Sequence, residues 1–148
     1  MSSKKVGQIL KLFISAKNNP QRTAKTSVVV NKLGVLEDKF YDKDVQRSIL
    51  IASTDSYDLV SSHNIEMPFG YLGENLLMDY NPYTLAIGTQ LKIGDAVLEI
   101  SQNCTICNHL TTIDSRIPSI LKDDRGIFVK VVSGGKIRAG DEVYLLEV

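Results

Sequence analysis

Residues 101–110 (SQNCTICNHL) contain both cysteines of the chain, Cys104 and Cys107, and one of its two histidines, His109. A thiol beside a histidine or another positive group can have a lowered pKa, which makes thiolate available for nucleophilic attack or for carrying sulfur as a persulfide. A free cysteine is also commonly a small, buried apolar group. The polar residues of this segment argue against plain core, so a reactive and an inert thiol remain equal alternatives.

The spacing of the two cysteines also suits zinc ligation or a CxxC redox centre. A closed structural zinc site normally needs four ligands, and the chain has no second cysteine pair, so His63 and His109 would have to complete the set. Covalent haem attachment is excluded, because Asn108 separates Cys107 from the histidine. Thioredoxin-type redox motifs belong to a strand–helix unit, which the surrounding pattern does not predict.

A hairpin is predicted to position this segment. Residues 90–93 and 96–101 alternate apolar and polar side chains around a Gly94-Asp95 turn, and the cysteine segment follows the second strand. A second Gly-Asp turn precedes a predicted final strand at residues 142–147. Short apolar runs separated by frequent Gly and Pro indicate a mainly β fold, a barrel or a sandwich.

The N-terminal third predicts two strands and a connecting loop. The first strand is expected over residues 6–15, the loop over 17–26 and the second strand over 27–30. Strict alternation divides the first strand into two faces. One face holds Val6, Gln8, Leu10, Leu12 and Ile14, and the other holds Ile9, Lys11 and Phe13.

One short helix is expected from about residue 54 to residue 62, because Ser53, Thr54 and Asp55 can cap its start and place an acid at its positive end. His63 near its end would interact with the terminal carbonyls. Between residues 107 and 122 the pattern is ambiguous, and Pro118 would interrupt or start any helix there.

Length and composition predict one soluble domain over residues 1–148. Apolar residues make up 43% and charged residues 23% of the 148, which is typical of a globular domain. No run approaches the ~18 apolar residues that span a bilayer. Gln8 and Lys11 interrupt the apolar N-terminal run, so we expect no signal peptide. Two cysteines three apart indicate the cytoplasm.

Charge is balanced overall but ordered along the chain. Basic and acidic residues both total 17, so no cationic field exists to drive nucleic-acid binding. Residues 1–36 nevertheless carry +7, residues 37–114 carry −8, and the remainder carries +1. Either these charges interleave on a mixed surface, or the basic third lines one wall of an anion-binding cleft.

Ordered markers along almost the whole chain resemble the MOSC family, the domain related to the C-terminal part of molybdenum-cofactor sulfurase, and especially its small stand-alone bacterial members. The markers are residues 34–38 (GVLED), 46–50 (QRSIL), 73–76 (GENL), 88–100 (GTQLKIGDAVLEI), 101–102 (SQ) leading to Cys107, 126–128 (GIF), 134–135 (GG) and 140–141 (GD).

The resemblance implies a mostly antiparallel MOSC-like β-barrel with one or two short helices, and a role in molybdenum-cofactor binding or sulfur transfer. It places the family cysteine on Cys107, which would accept sulfur as persulfide or approach the molybdenum as a ligand, with His109 tuning the thiol. Soft thiolate suits such a metal centre. Pyridoxal phosphate enters only through a partner cysteine desulfurase, and a molybdoenzyme is the other implied partner.

The expected cofactor-binding residues follow from the same markers and their neighbours. They are Asp38, Gln46, Arg47, Glu74, Asn75 and Gln102, assisted by a basic residue from the 17–25 loop. For Glu74 and Asn75 the alternative is a turn that hydrogen-bonds its own backbone.

The chain departs from the family at two places. Members commonly carry a GDxHxG-like motif where residues 37–42 read EDKFYD, so the family histidine and both glycines are absent and Asp38 remains. The basic residue that often precedes Gln46 is Val45 here, and Arg47 follows instead. The alternatives to a sulfur-handling protein are therefore a catalytically degenerate binding or assembly module and, as a third hypothesis, a CxxC redox or zinc protein.

Overall fold

Seven strands close into a β-barrel in the computed structural model, which describes residues 2–15, 22–104 and 113–147. The strands in these ranges are β1 (Ser2–Ile14), β2 (Thr23–Lys25), β3 (Ser27–Asn31), β4 (Gly34–Val35), β5 (Ile49–Ser53), β6 (Leu76–Met78), β7 (Gln90–Ile93), β8 (Ala96–Asn103), β9 (Ile127–Ser133), β10 (Gly135–Arg138) and β11 (Glu142–Glu147). The helices are α1 (Thr54–Ser61) and α2 (Ile117–Leu121), and a 3₁₀ turn covers Val45–Arg47.

The long first strand closes the barrel. The barrel order is β11, β7, β8, β9, β5, β6 and β1, and β1 pairs with β11 along its first half and with β6 along its second. The predicted mainly β barrel is confirmed. One detail differs: β5 and β6 pair in parallel, because the chain between them, which includes α1, crosses over before returning to the sheet.

The predicted two faces of β1 are wrong, although the strand itself is confirmed. The pairing register of β1 shifts between Lys5 and Gly7 and again between Ile9 and Lys11. A bulge leaves one residue unpaired and interrupts the regular alternation of faces. Ile9 and Leu12 are consequently both fully buried in the same core, although strict alternation placed them on opposite faces.

Two hydrophobic cores stabilise the fold. The larger fills the barrel and extends to the small sheet of β10, β3 and β4. The second lies between the barrel wall and the helices, where Leu50, Leu77, Tyr57 and Ile117 pack together. This second core also contains Cys104, so the residue that directly follows β8 is buried beneath the helical layer.

The local predictions for α1 and its flanks are confirmed. Ser53 caps the helix by accepting a hydrogen bond from the Asp55 N–H at 3.1 Å, and Asp55 lies in the first turn. The helix ends at Ser61, and His63 Nδ1 lies 3.1 Å from the Leu59 carbonyl oxygen. No helix in the described ranges is long and apolar enough to cross a membrane.

Three further segments test the sequence patterns. The hairpin of β7 and β8 and the final strand β11 form as predicted. Pro118 starts α2 rather than interrupting it, since it occupies the first turn. The expected loop over residues 17–26 is partly wrong, because Thr23–Lys25 pair with the end of β1.

Asn75 ties together strands that are distant in sequence. Its Oδ1 accepts the Leu50 N–H at 3.0 Å, and its Nδ2 donates to the Phe13 carbonyl at 3.2 Å and to Asp38 Oδ1 at 3.4 Å. Its backbone also bonds to Phe13 and Leu50. One buried amide therefore fixes β1 against β5 next to the loop that contains Asp38.

We expect Asn75→Ala to lower the free energy of unfolding by about 2–4 kcal/mol, because it leaves the buried Leu50 N–H and Phe13 carbonyl without their side-chain partner. Urea denaturation followed by circular dichroism measures the change. Asn103→Ala, at an exposed position of β8, is the matched control and should change stability by less than about 0.5 kcal/mol. Equal losses in the two variants would contradict this role for Asn75.

Candidate functional site

A cavity of about 950 Å³ opens beside the end of β1. Most of its wall comes from three segments, the end of β1, residues 39–50 and residues 68–75, and Arg22, Cys104 and Phe128 also line it. Among the described residues, four cationic side chains line it, Arg22, Lys39, Lys43 and Arg47, against one acidic side chain, Asp44. A cavity of this volume is in the range that holds a small molecule or a cofactor.

The cations only partly match the expected charge arrangement. Of the described basic residues of the first third, Arg22 lines the cavity, while Lys5 and Lys25 form ion pairs with Glu142 and Glu37 elsewhere. The other three cavity cations belong to residues 39–47, within the acidic middle of the sequence. Among described residues, the basic third therefore supplies one cation to the cleft and mixes with acids on the surface.

Arg22 is a partly buried guanidinium that is only partly hydrogen-bonded within the described chain. Its Nη1 donates a short hydrogen bond to Ser15 Oγ. Its Nε and Nη2 are buried and have no hydrogen-bond partner among the described residues. Burial lowers the pKa of the guanidinium, while the charges of Asp38 and Glu74 oppose that change. Nε and Nη2 together form an edge that can donate hydrogen bonds to two oxygens of a carboxylate or phosphate.

Asp38 holds the cavity loop in place. Its Oδ1 accepts the Ser15 N–H at 2.7 Å and its Oδ2 accepts the Phe40 N–H at 3.0 Å, in addition to the Asn75 contact. The Lys39 N–H donates to the Ser15 carbonyl at 2.6 Å. Asp38 itself does not line the cavity, but it positions Lys39 and Phe40, which do.

Glu74 lies fully buried behind the wall formed by residues 68–73. Its Oε2 accepts the Tyr57 O–H at 2.5 Å and the Gly70 N–H at 3.1 Å, while Oε1 has no hydrogen-bond partner in the described chain. Burial raises the pKa of this carboxyl, and the Tyr57 bond and the charge of Arg22 partly oppose the rise. Burial likewise raises the pKa of Tyr57.

Tyr57 and Glu74 also shape that wall. The Tyr57 hydroxyl oxygen accepts from the Gly70 N–H at 3.1 Å, and the Phe69 ring packs edge-on against Tyr57 at 4.9 Å. Gly70 has φ +90°, and a Cβ there would come within 3.1 Å of the Phe13 ring. The wall therefore passes too close to β1 for a side chain at this position.

Aromatic rings accompany the cations. The Arg47 guanidinium carbon lies 4.6 Å from the centroid of the Phe128 ring, and Lys39 Nζ lies 5.1 Å from that of Phe40. Both distances suit cation–π attraction. Phe40 and Phe69 line the cavity and remain about half exposed, so its entrance offers flat apolar surface beside positive charge.

The expected site residues are distributed as follows. Arg47 and Asn75 line the cavity, and Asp38 and Glu74 support it from behind. Gln46 and Gln102 are not among the lining residues; the Gln46 carbonyl accepts from Ser101, and Gln102 lies in β8 opposite Phe128.

Of the two cysteines, Cys104 lines the cavity and is only 3% exposed. Cys107 and His109 lie outside the described residues, so their predicted roles are untested. Among the residues that are described, no group of three or more His, Cys, Asp or Glu side chains converges as a metal site would require.

Sequence reasoning missed Lys39, Lys43 and Tyr57. Lys39 lies in the segment that departs from the family motif and Lys43 directly follows it, and this pair of lysines was the available signal. Tyr57 lies three residues before Val60 on the buried side of α1, and a buried tyrosine hydroxyl needs a partner. Its partner, Glu74, is 17 residues away, which no local pattern indicates.

Solved structures share this architecture. The chain is similar to the YuaD protein from Bacillus subtilis, with a TM-score of 0.83 and 14% identity over 99% of each chain. It is similar to YiiM from Escherichia coli, with a TM-score of 0.70 and 16% identity over 95% of this chain and 70% of the other. YiiM from Geobacillus stearothermophilus gives 0.65 and 16%, over 99% and 76%. These identities support the fold alone.

Comparison at the level of sequence identifies the family. No curated protein sequence matches the chain significantly. The model of the MOSC domain matches residues 31–144, which include β4 to β10, the Asp38 loop, Glu74 and Asn75. Because that match covers well over half of the 148 residues, the chain belongs to the MOSC domain family.

Proposed function

We propose that this MOSC protein binds an anionic, sulfur-bearing group of the molybdenum-cofactor type in the cavity and handles its sulfur through Cys107. The observation that carries the proposal is the cavity itself, with four cations on its wall and the buried Cys104 beside them. Cys107 follows Cys104 by three residues in the sequence.

The residues present fit such a group. Arg22 has two unpartnered N–H groups along one edge, counted among described residues, and Lys39, Lys43 and Arg47 add positive charge around an anion. When bound, a molybdenum centre would supply a soft metal that accepts thiolate sulfur. The chain's own contribution is to neutralise the anion, to offer flat apolar contact and to keep a thiol nearby.

The sulfur would arrive from a partner. A cysteine desulfurase is the class of enzyme that can pass sulfur to a thiolate, and a molybdoenzyme is the class that would consume it. No lysine in the described part of the chain stands in a setting that suggests its own pyridoxal phosphate. The proposed location of this exchange is the cytoplasm.

A binding or assembly module without sulfur chemistry is the second candidate. It is favoured by Asp38, the one remaining residue of the family motif, because both its carboxylate oxygens are already occupied by Ser15, Phe40 and Asn75. A carboxylate committed in this way supports a loop and is not free to contact a ligand.

Cysteine variants separate the two candidates. We expect Cys107→Ala to abolish persulfide labelling and Cys104→Ala to retain it, because Cys104 is only 3% exposed. Alkylation rates against pH should also show Cys107 reacting with a pKa below the ordinary value of about 8.5. Unchanged labelling in Cys107→Ala, or an ordinary thiol pKa at Cys107, would favour the module.

Arg22 gives a separate test of ligand binding. A charge-assisted hydrogen bond is worth about 1.5–3 kcal/mol, so Arg22→Gln should lower the molybdenum and sulfane-sulfur content of protein purified from a cofactor-producing host by about tenfold or more. Elemental analysis measures both. Arg138→Gln, on the small sheet and half exposed, is the matched control and should keep the wild-type content. Wild-type protein without either element would contradict the proposal.

A further inference from the structure

Two buried polar groups near the cavity lack partners among the described residues. One is the Nε and Nη2 edge of Arg22, and the other is Oε1 of Glu74. Their charges interact across a buried region, yet no hydrogen bond joins them. Buried groups of this kind are costly to leave unsatisfied.

The hydrogen bonds of Glu74 determine where its proton would lie. Oε2 already accepts from Tyr57 and Gly70, so a proton on this carboxyl belongs on Oε1. Neutral Glu74 would then present a donor at Oε1, whereas ionised Glu74 would present a second buried charge beside Arg22.

The charge balance depends on both carboxylates. The charged and titratable groups of this cluster are Arg22 before β2, Asp38 after β4, Tyr57 on α1, Tyr83 after β6 and Glu74 itself. The charges of Asp38 and Glu74 both act on Arg22, which can offset only one of them. A bound anion would itself neutralise Arg22. The two buried carboxylates would then repel the anion and each other.

We propose, building on the anion-binding function of the cavity, that an oxyanion at the unpartnered Nε–Nη2 edge of Arg22 and a proton on Glu74 bind together. Where Glu74 is ionised in the free protein, binding of one anion is accompanied by the uptake of one proton from solvent by Glu74. Linkage makes the effect reciprocal, since a neutral Glu74 strengthens anion binding by the same factor as the anion strengthens protonation.

The direction of the pH dependence follows. Burial raises the pKa of Glu74, so the neutral form persists to higher pH than for an exposed glutamate. Anion affinity is highest below this raised pKa and falls as pH rises through it, by up to about tenfold per pH unit for one linked proton.

Sulfate is a suitable probe, because it does not titrate between pH 5 and pH 9. Calorimetric titrations at constant ionic strength, in two buffers of different ionisation enthalpy, give both the affinity and the protons taken up. We expect wild-type affinity to fall with pH. Glu74→Gln should bind at every pH with the low-pH affinity of wild type and take up no proton, because the amide mimics the neutral carboxyl.

Two further variants complete the design. Glu66→Gln makes the same chemical change at an exposed position and should keep the wild-type pH dependence. Tyr57→Phe removes a bond that favours the charged form of Glu74, so it should move the fall in affinity to higher pH. Tyr57→Phe also keeps the test valid if Glu74→Gln does not fold.

The outcomes distinguish the coupling from the proposed function. Sulfate binding that requires Arg22 but keeps the same pH slope in Glu74→Gln overturns the coupling alone, as does an unmoved profile in Tyr57→Phe. Absence of sulfate binding to wild type, or equal binding to Arg22→Gln, overturns the anion site on which both rest.

Discussion

The hydrogen bonds among Asn75, Asp38 and Ser15 hold the end of β1, the loop after β4 and the start of β5 in one arrangement. These segments are far apart in sequence, so each bond closes a long loop and depends on the others being formed. In a buried, low-dielectric setting, the loss of one partner leaves another polar group without a hydrogen bond, which destabilises the fold. The cavity walls are the same backbone segments. The same hydrogen bonds therefore determine both the stability of the barrel at this end and the shape of the site.

The buried charges beside that network are tolerated for a different reason. Removing Arg22 from water is unfavourable, and Asp38 and Glu74 compensate only in part, since one edge of the guanidinium has no partner in the described chain. Hydrophobic residues of similar volume often stabilise a core better than such a charged cluster does. Incomplete pairing is instead what a binding site requires, because a fully paired guanidinium would have no donors left for a ligand.

Local signals in the sequence predicted the elements well. The α1 cap, the β7–β8 hairpin and β11 depend on neighbouring residues, and the structure confirms them. Closure of the barrel by β1 and the interrupted alternation of its faces could not be derived from local patterns, because bulges are set by pairing with β11 and β6. The candidate site likewise combines residues that the sequence indicated with residues that depend on long-range contacts. Arg47 and Asn75 were expected and line the cavity, whereas the Tyr57–Glu74 pair depends on a contact across 17 residues.

The structure explains why Asp38 remains in a segment that otherwise departs from the family motif. Asp38 keeps a structural task, since its oxygens anchor the loop to Ser15, Phe40 and Asn75. Once that anchor is present, neighbouring positions can change without loss of the fold. The positions that follow it carry Lys39, Lys43 and Arg47, which supply three of the four cavity cations in the described chain. The motif's two glycines are replaced by Glu37 and Asp42 and its histidine by Phe40, and of these three only Phe40 lines the cavity. The positive charge of the site therefore comes from residues beside the altered positions, whereas the altered positions themselves contribute an aromatic ring to the cavity wall.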